Sequence, residues 1–396
     1  MPELESSLRE LRDDLRSSIG RPDLRQVAGR ARDRAVRRRM QIGAITAVVL
    51  VSVLVPVLRS LPTDRQSTEP PRVPMTYQVD FADPRYGYAL GTACDGPEVP
   101  CAFTLLATTD RGTTWRQRTL PADGVPFASS VLLVLARNRL MLYRAPLGTG
   151  GSTELFASDD GGRTWYEHEP SPGAAGPIPA GARLQRICAG TGCPIGVGAV
   201  AADGRLAPAP AQPPVEVRVV GEVATSGGRY WVVSQVPATR AWIISVTSDT
   251  GLSWYSSTVE LPAQAWLARE PWSVVEARGV LYATALGNIG TGPFGLVAVF
   301  RSFDAGVSWT RTWQATPTTL VTAVTGGPVA TSDGRLLLYS RVEGTLESTD
   351  GSRFTPADRQ LPGRVTWTRA GYLAEVEDNE YELSSDGLTW RRFTLP

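Results

Sequence analysis

The sequence predicts an all-β repeat fold of seven units, preceded by a helical segment and one membrane-spanning helix. Three observations predict it. A short pattern ending in an aromatic residue recurs along residues 75–396, and self-similarity at a regular period is the signature of repeat architectures. The 39 Gly and 31 Pro disfavour long helices in the body of the chain. One uncharged apolar run, 42–58, separates that body from an arginine-rich head. At 42% hydrophobic and 20% charged residues the composition is globular rather than disordered. A net charge of +1 excludes a nucleic-acid binder working through bulk positive charge. All 40 basic residues are Arg, which reads as codon bias.

Residues 1–41 hold 11 Arg and 7 acidic residues, and the remainder holds 29 and 32, so a basic head precedes a slightly acidic body. Leu4, Leu8, Leu11 and Leu15 recur at helical spacing, and Gly20-Arg21-Pro22 ends that helix. The segment reads either as an amphipathic helix on anionic lipid or as a docking helix for a cytosolic partner. The second reading extends to a sensor coupled to a cytosolic regulator such as a sigma factor, although the His/Cys zinc signature of many such partners is missing. Ile42–Leu58 would span about 26 Å as a helix, enough for a thin hydrocarbon core. Arg37-Arg38-Arg39 places its N-terminal side in the cytoplasm. A cleaved signal peptide would need a short leader and a small-residue cleavage site; here forty-one residues precede the run and Arg59-Ser60-Leu61-Pro62 follows it. Residues 42–61 are therefore read as an uncleaved single-pass anchor. Residues 62–74, with Pro62, Pro70, Pro71 and Pro74, form a stiff stalk. The body, 75–396, then lies outside the cell.

The recurring pattern is [ST]-x-D-x-G-x-[ST]-[WF]. It reads TTDRGTTW at 108–115, SDDGGRTW at 158–165, TSDTGLSW at 247–254 and SFDAGVSW at 302–309. Shorter copies are STDGSRF at 348–354 and SSDGLTW at 384–390. Each is a hairpin turn in which Asp accepts backbone N–H groups and Gly supplies a positive φ. The aromatic residue then buries apolar area between neighbouring sheets. The aspartates are Asp110, Asp160, Asp249, Asp304, Asp350 and Asp386, and the tryptophans Trp115, Trp165, Trp254, Trp309 and Trp390.

These copies resemble the Asp-box, or BNR repeat, of sialidase-like and related β-propellers, and the resemblance covers 75–396. It implies four-stranded antiparallel blades, with each box joining the third and fourth strands on the face away from the ligand site. The box residues are then structural. The intervals between the aspartates are 50, 89, 55, 46 and 36 residues. The interval of 89 is two units, so one blade lacks a box, and Val197 to Ala207 around Asp203-Gly204 supplies its strand–turn–strand. Seven blades over 322 residues give about 46 each, an ordinary propeller repeat. The last blade, 363–396, holds all its strands, which predicts closure without strand exchange. His168 reads as an exposed residue on an outer strand.

Cys94 and Cys101 flank one short loop, and Cys188 and Cys193 another. On the outer side of a membrane this predicts two disulfides, with buried free thiols as the alternative. The loops lack further ligands for zinc. No metal and no cofactor is expected.

The resemblance raises a sialidase-type glycoside hydrolase. That chemistry needs three arginines on a carboxylate, a Tyr nucleophile with a Glu, and an Asp acid. Arg72-Val73-Pro74 resembles the motif of the first arginine, but it lies in the stalk, and the remaining residues cannot be picked out. Closer is the resemblance to non-catalytic seven-bladed propellers, including the photosystem II assembly-factor type, which implies binding of a protein or glycan on the face opposite the boxes. Loops expected there are 144–146, 237–240, 265–272, 287–295, 360–364 and 377–380. They nominate Arg144, Arg240, Trp266, Arg269, Trp272 and Arg364, because Trp and Arg dominate binding hot spots. Arg240, Arg269 and Arg364 are expected to converge on one funnel. The alternative for Trp266 and Trp272 is that they fill the gap between blades.

Overall fold

The computed structural model describes residues 76–396 apart from 94–101, 122–126, 147–153, 169–173, 189–194, 225–227, 263–264 and 317–320. The expected cytosolic segment, anchor and stalk lie outside the described residues, as do Cys94, Cys101 and Cys193. Among the described residues no helix is long and apolar enough to cross a membrane.

Those residues form a seven-bladed all-β propeller. Each blade is an antiparallel sheet of strands consecutive in sequence, four in six of the blades and three in the third. Blades 1 to 7 are 76–118, 127–167, 183–208, 217–259, 265–314, 329–356 and 364–394. Among the described residues every blade is built from strands consecutive in sequence, and blades 1 and 7 share no strand. The middle strands are continuous apolar runs because both of their faces are covered. In blade 5, Gly295–Ser302 (GLVAVFRS) is buried at all but one position. The outermost strands are short and polar, such as Arg116–Arg118 (RQR), which protects the sheet edge from pairing with another chain.

All six motif turns connect the third and fourth strands of their blades. In blade 1 the Thr108 hydroxyl donates to Asp110 Oδ1 at 2.8 Å and accepts the Gly112 N–H at 2.9 Å. Asp110 also accepts the N–H of Thr114 at 2.9 Å and its hydroxyl at 2.7 Å. Blades 2, 4 and 5 repeat the pattern atom for atom. The turn glycine then packs on the preceding blade. A Cβ on Gly306 of blade 5 would stand 2.6 Å from Val246 of blade 4, and one on Gly112 of blade 1 would stand 2.7 Å from Phe393 of blade 7. The tryptophans reach the same way: Trp165 Nε1 donates to Thr119 O, after the last strand of blade 1, and Trp254 Nε1 to Ala211 O, after that of blade 3. Each motif turn thus joins its blade to the one before, and the first joins blade 1 to blade 7.

Blade 3 departs from this. Its turn, Ala201 to Arg205, is closed by the Ala201 N–H on Arg205 O at 2.9 Å. Gly204 meets nothing nearer than His168 and Met141 of blade 2 at 3.8 Å. His168 is therefore half-buried beneath this turn rather than exposed. Arg183 pairs in register with Val200 beside the same turn. The strand Arg183–Cys188 thus starts on the turn-bearing face, where the first strands of the other blades end, and it runs in the direction of a second strand.

Two expectations about loops are corrected. Residues 265–272 open a thirteen-residue strand, Ala265–Ala277. Its register jumps from Leu267↔Gly287 to Trp272↔Ala285, a wide bulge that lets Pro271 sit in a strand without a ladder N–H. Arg144 lies inside the strand Leu140–Pro146, paired with Ser130 and Glu154, rather than in a loop.

Candidate channel site

The innermost segments of neighbouring blades meet through single parallel bridges, Ala224 to Val275 and Gly326 to Val365. Between the innermost segments of blades 4 to 7 lies a cavity of about 480 Å³, a size typical of small-molecule sites. Its lining begins at Glu222 and Trp231 on the turn-bearing side and ends at Phe294, Arg341 and Arg364 on the opposite side. Apolar walls come from Val219, Val274, Val324 and Val365, and two more indoles from Trp272 and Trp367.

The outer end is cationic. Arg341 is exposed in the tight turn between Ser340 and Gly344 and makes no ion pair among the described residues. Arg364 opens the first strand of blade 7, its guanidinium 3.8 Å from Glu375. Both side chains therefore have donors to spare for an anion.

The inner end abuts a charge cluster drawn from distant parts of the chain. Arg183 Nη2 pairs with Asp80 Oδ2 at 2.6 Å, both side chains 18% exposed. Arg369 donates to the backbone carbonyls of Leu135 and Gly181. Glu222 feels Arg369, Arg183 and Asp80. Burial pushes the carboxyls of Asp80 and Glu222 above the usual carboxylate range, against the pull of the two arginines. It also pushes the Tyr230 hydroxyl up to about 12, with Glu222 adding to the effect. Two arginines and two carboxylates leave the cluster without net charge. Through Asp80, Arg183, Leu135, Gly181 and Arg369 it ties blades 1, 2 and 7 to the start of blade 3, and Glu222 of blade 4 feels its charges.

The nominated residues are dispersed. Arg364 and Trp272 line the cavity. Trp272 is 3% exposed and packs on Trp242 and Phe300, with ring centroids 5.8 Å away in each case, so it also fills the space between blades 4 and 5. Arg144 is buried, 4% exposed, with its guanidinium 5.7 Å from the Phe156 ring. Arg240 is exposed in a turn with φ of 58°, on the same face as Arg364 but outside the cavity lining. Trp266 and Arg269 lie in the first strand of blade 5, where only the backbone is described. Sequence reasoning missed Arg341, Trp231, Trp367 and Glu222. For Glu222 and Trp367 the usable signal was a place toward the end of a first strand, where a propeller's channel lining lies; Trp231 in a second strand and Arg341 in the turn between second and third strands carry no such signal. Among the described residues no three His, Cys, Asp or Glu side chains stand close enough to hold a metal ion.

A scan against protein-family models matches none, and a search of curated proteins finds no relative. Solved structures of similar topology include a puromycin-hydrolyzing peptidase of Mycobacterium tuberculosis, at 14% identity and TM-score 0.43, covering 79% of this chain and 50% of that one. A GH74 enzyme of Niastella koreensis matches at 14% identity and TM-score 0.24, covering 80% and 55%. A Trypanosoma rangeli sialidase, solved with the inhibitor DANA, matches at 12% identity and TM-score 0.35, covering 81% and 54%. The chain spans about half the length of each of these proteins, and the likeness is one of fold.

Proposed function

We propose that this chain is a membrane-anchored recognition module, a non-catalytic Asp-box propeller held outside the cell and binding an acidic ligand in the channel cavity. One observation carries the reading: Arg341 and Arg364 stand at the exposed end of a cavity whose walls are apolar and indole-rich. Forked guanidinium donors suit a carboxylate or phosphate, and the walls suit the body that bears it. Arg240 lies on the same face as Arg364. The motif turns lie on the other face and serve the fold.

Topology and compartment complete the proposal. Residues 42–61 anchor the chain, 1–41 lie in the cytoplasm on lipid or a protein partner, and 62–74 form the stalk. The cysteines form two disulfides. Cys94 and Cys101 follow and precede the register partners Ala93 and Ala102, and Cys188 pairs in register with Ile195, two residues past Cys193.

The test uses the full chain in detergent micelles, titrated calorimetrically with acidic and neutral oligosaccharides and with acidic peptides. Saturable binding of an acidic ligand without turnover is expected, and an Arg341→Ala, Arg364→Ala double variant should lose it. Hydrolysis of a glycoside, or binding indifferent to the double variant, would remove the proposal.

A further inference from the structure

Blade 3 departs from the others at its inner edge as well as at its turn. Its three strands are Arg183–Cys188, Ile195–Val200 and Leu206–Pro208, paired in that order. Arg183 stands opposite Val200, beside the turn-bearing end, so these are a second, a third and a fourth strand. Among the described residues no strand holds the first position, the one nearest the channel in the other blades. The inner edge of Arg183–Cys188 makes no backbone hydrogen bond among them. Alternate residues of an antiparallel strand nevertheless turn their N–H and C=O that way. The connection from blade 2 supplies no substitute. Residues 174–182 contain no strand, and the Ile178 N–H donates to Thr250 O in the motif turn of blade 4.

Both neighbouring blades are uncovered on this side. In the first strand of blade 2, Leu132 packs toward blade 1 and is 1% exposed, whereas Val131 is 47% exposed. Val131 stands opposite Tyr143, which packs on the cluster that holds Val200 of blade 3, so Val131 is on the blade 3 side. In the first strand of blade 4, Val220 is half-buried, opposite Val232, which packs with Val197 and Ala199 of blade 3. By contrast Val274 and Val275, in the first strand of blade 5, are each 2% exposed. A free strand edge between two apolar walls is a slot for one more strand, and extended peptides bind sheet edges in this way.

The two ends of the slot differ. At the turn-bearing end Arg183 of blade 3 reaches Asp80 of blade 1, and Arg369 of blade 7 reaches the carbonyl of Leu135 of blade 2, so side chains cross the channel there. Toward the opposite end stand Arg186 and Arg218, both exposed and without an ion pair among the described residues, against the single carboxylate of Glu216. A chain therefore enters from that end, past net positive charge.

We infer that the slot takes an extended segment of a partner protein as the first strand of blade 3. The segment matches the six residues of Arg183–Cys188 and runs antiparallel to them, as the first strands of blades 1 and 4 do to their second. It is apolar on both faces, because a strand covered on both sides reads as a continuous apolar run. Its N-terminal end is acidic and lies by Arg186 and Arg218. The inference goes beyond the acidic-ligand reading and uses neither Arg341 nor Arg364.

The experiment titrates the full chain in micelles with the peptide Asp-Asp-Val-Thr-Val-Val-Thr-Val, and follows amide exchange in the complex. Saturable binding is expected, and alternate amides of Arg183–Cys188 should exchange about tenfold more slowly when it is bound. The same peptide N-methylated at alternate residues in either register cannot form both sides of the ladder and should not bind. A Lys-Lys head in place of Asp-Asp should weaken binding several-fold, as should an Arg186→Ala, Arg218→Ala variant. Val131 is exposed, so Val131→Asp should abolish binding at an unchanged melting temperature. The Arg341→Ala, Arg364→Ala double variant should bind the peptide normally. Binding that needs those two arginines would place the peptide in the cavity and overturn the slot while leaving the acidic-ligand reading intact. No binding, equal binding of the N-methylated peptides, or no added protection in Arg183–Cys188 also overturns it. If all of those amides are already protected in the free chain, the slot is filled by the chain itself, or by a second copy where the protection rises with concentration, and the inference fails.

Discussion

At Asp160 one carboxylate holds four donors: the Ser158 hydroxyl at 2.9 Å, the N–H groups of Arg163 and Thr164 at 2.9 Å each, and the Thr164 hydroxyl at 2.7 Å. Asp160→Ala removes the common acceptor, and the stranded turn should cost about 1–3 kcal/mol, read from a shifted denaturant midpoint at constant slope. A loss of ligand binding with no change of midpoint would contradict the structural role. The same bonding has a pH signature. Hydroxyl donation from Thr114, Ser253 and Ser308 is the largest influence on Asp110, Asp249 and Asp304, and holds each at about 2. At Asp160 partial burial pushes upward first, and the Thr164 donors with the rest overcome it, again to about 2. The unfolded chain has these groups near 3.9. A depressed folded pKa gives stability that is complete above the unfolded value and lost as pH falls through the folded one. The melting temperature should therefore drop between about pH 4 and pH 2. An Asp249→Asn, Asp304→Asn variant should show a shallower drop over that interval, and an identical slope would disprove the assignment.

Among the elements, blade 3 is the weak one, for reasons visible in its contacts. It has three strands, and its turn lacks both the hydroxyl–carboxylate pair and the aromatic residue that join other blades to their predecessors. Gly204 rests on blade 2 at ordinary contact distance, where Gly306 is wedged against blade 4. Amide exchange should find Ile195–Val200 opening at a lower free energy than Gly295–Ser302 of blade 5, although both are nearly fully buried. Equal protection in the two strands would show that the missing turn contributes nothing. The fold was legible at this scale because each turn is local: eight residues carry the hydrogen bonds, the positive φ and the aromatic, so spacing alone counts the blades. What escaped was the extended strand at 265–277. Its Pro271 and mixed pattern read as a loop, and only pairing with Val280–Ile289 reveals the bulge that accommodates the proline.

For the whole molecule, the candidate site was scarcely legible, because no local pattern gathers it. Asp80, Arg183, Glu222 and Arg369 are scattered over nearly the full length of the propeller, and Arg341 sits in a tight turn with no motif around it. The four meet because the closed ring brings the turn-bearing ends of distant blades together, and Arg341 stands at the opposite end of the same cavity. That closure is itself unusual in depending on side chains. With no strand shared between blades 1 and 7, the seam is held by an aromatic cluster: Phe393 lies 5.7 Å from Phe81, 5.8 Å from Trp115 and 5.7 Å from Tyr381, ring to ring. Gly112 closes against the same ring. Phe393→Ala removes the centre of this cluster and should cost about 3–5 kcal/mol. Phe300→Ala, in the core between blades 4 and 5, should cost a similar amount and serves as the control. The two should differ in where the protein opens. In Phe393→Ala, amides of Thr76–Phe81 and Glu380–Ser384 should exchange through a local opening, well below the free energy of global unfolding. In Phe300→Ala those same amides should still report global unfolding alone. If both variants protect the two strands equally, the aromatic seam is not what closes the ring.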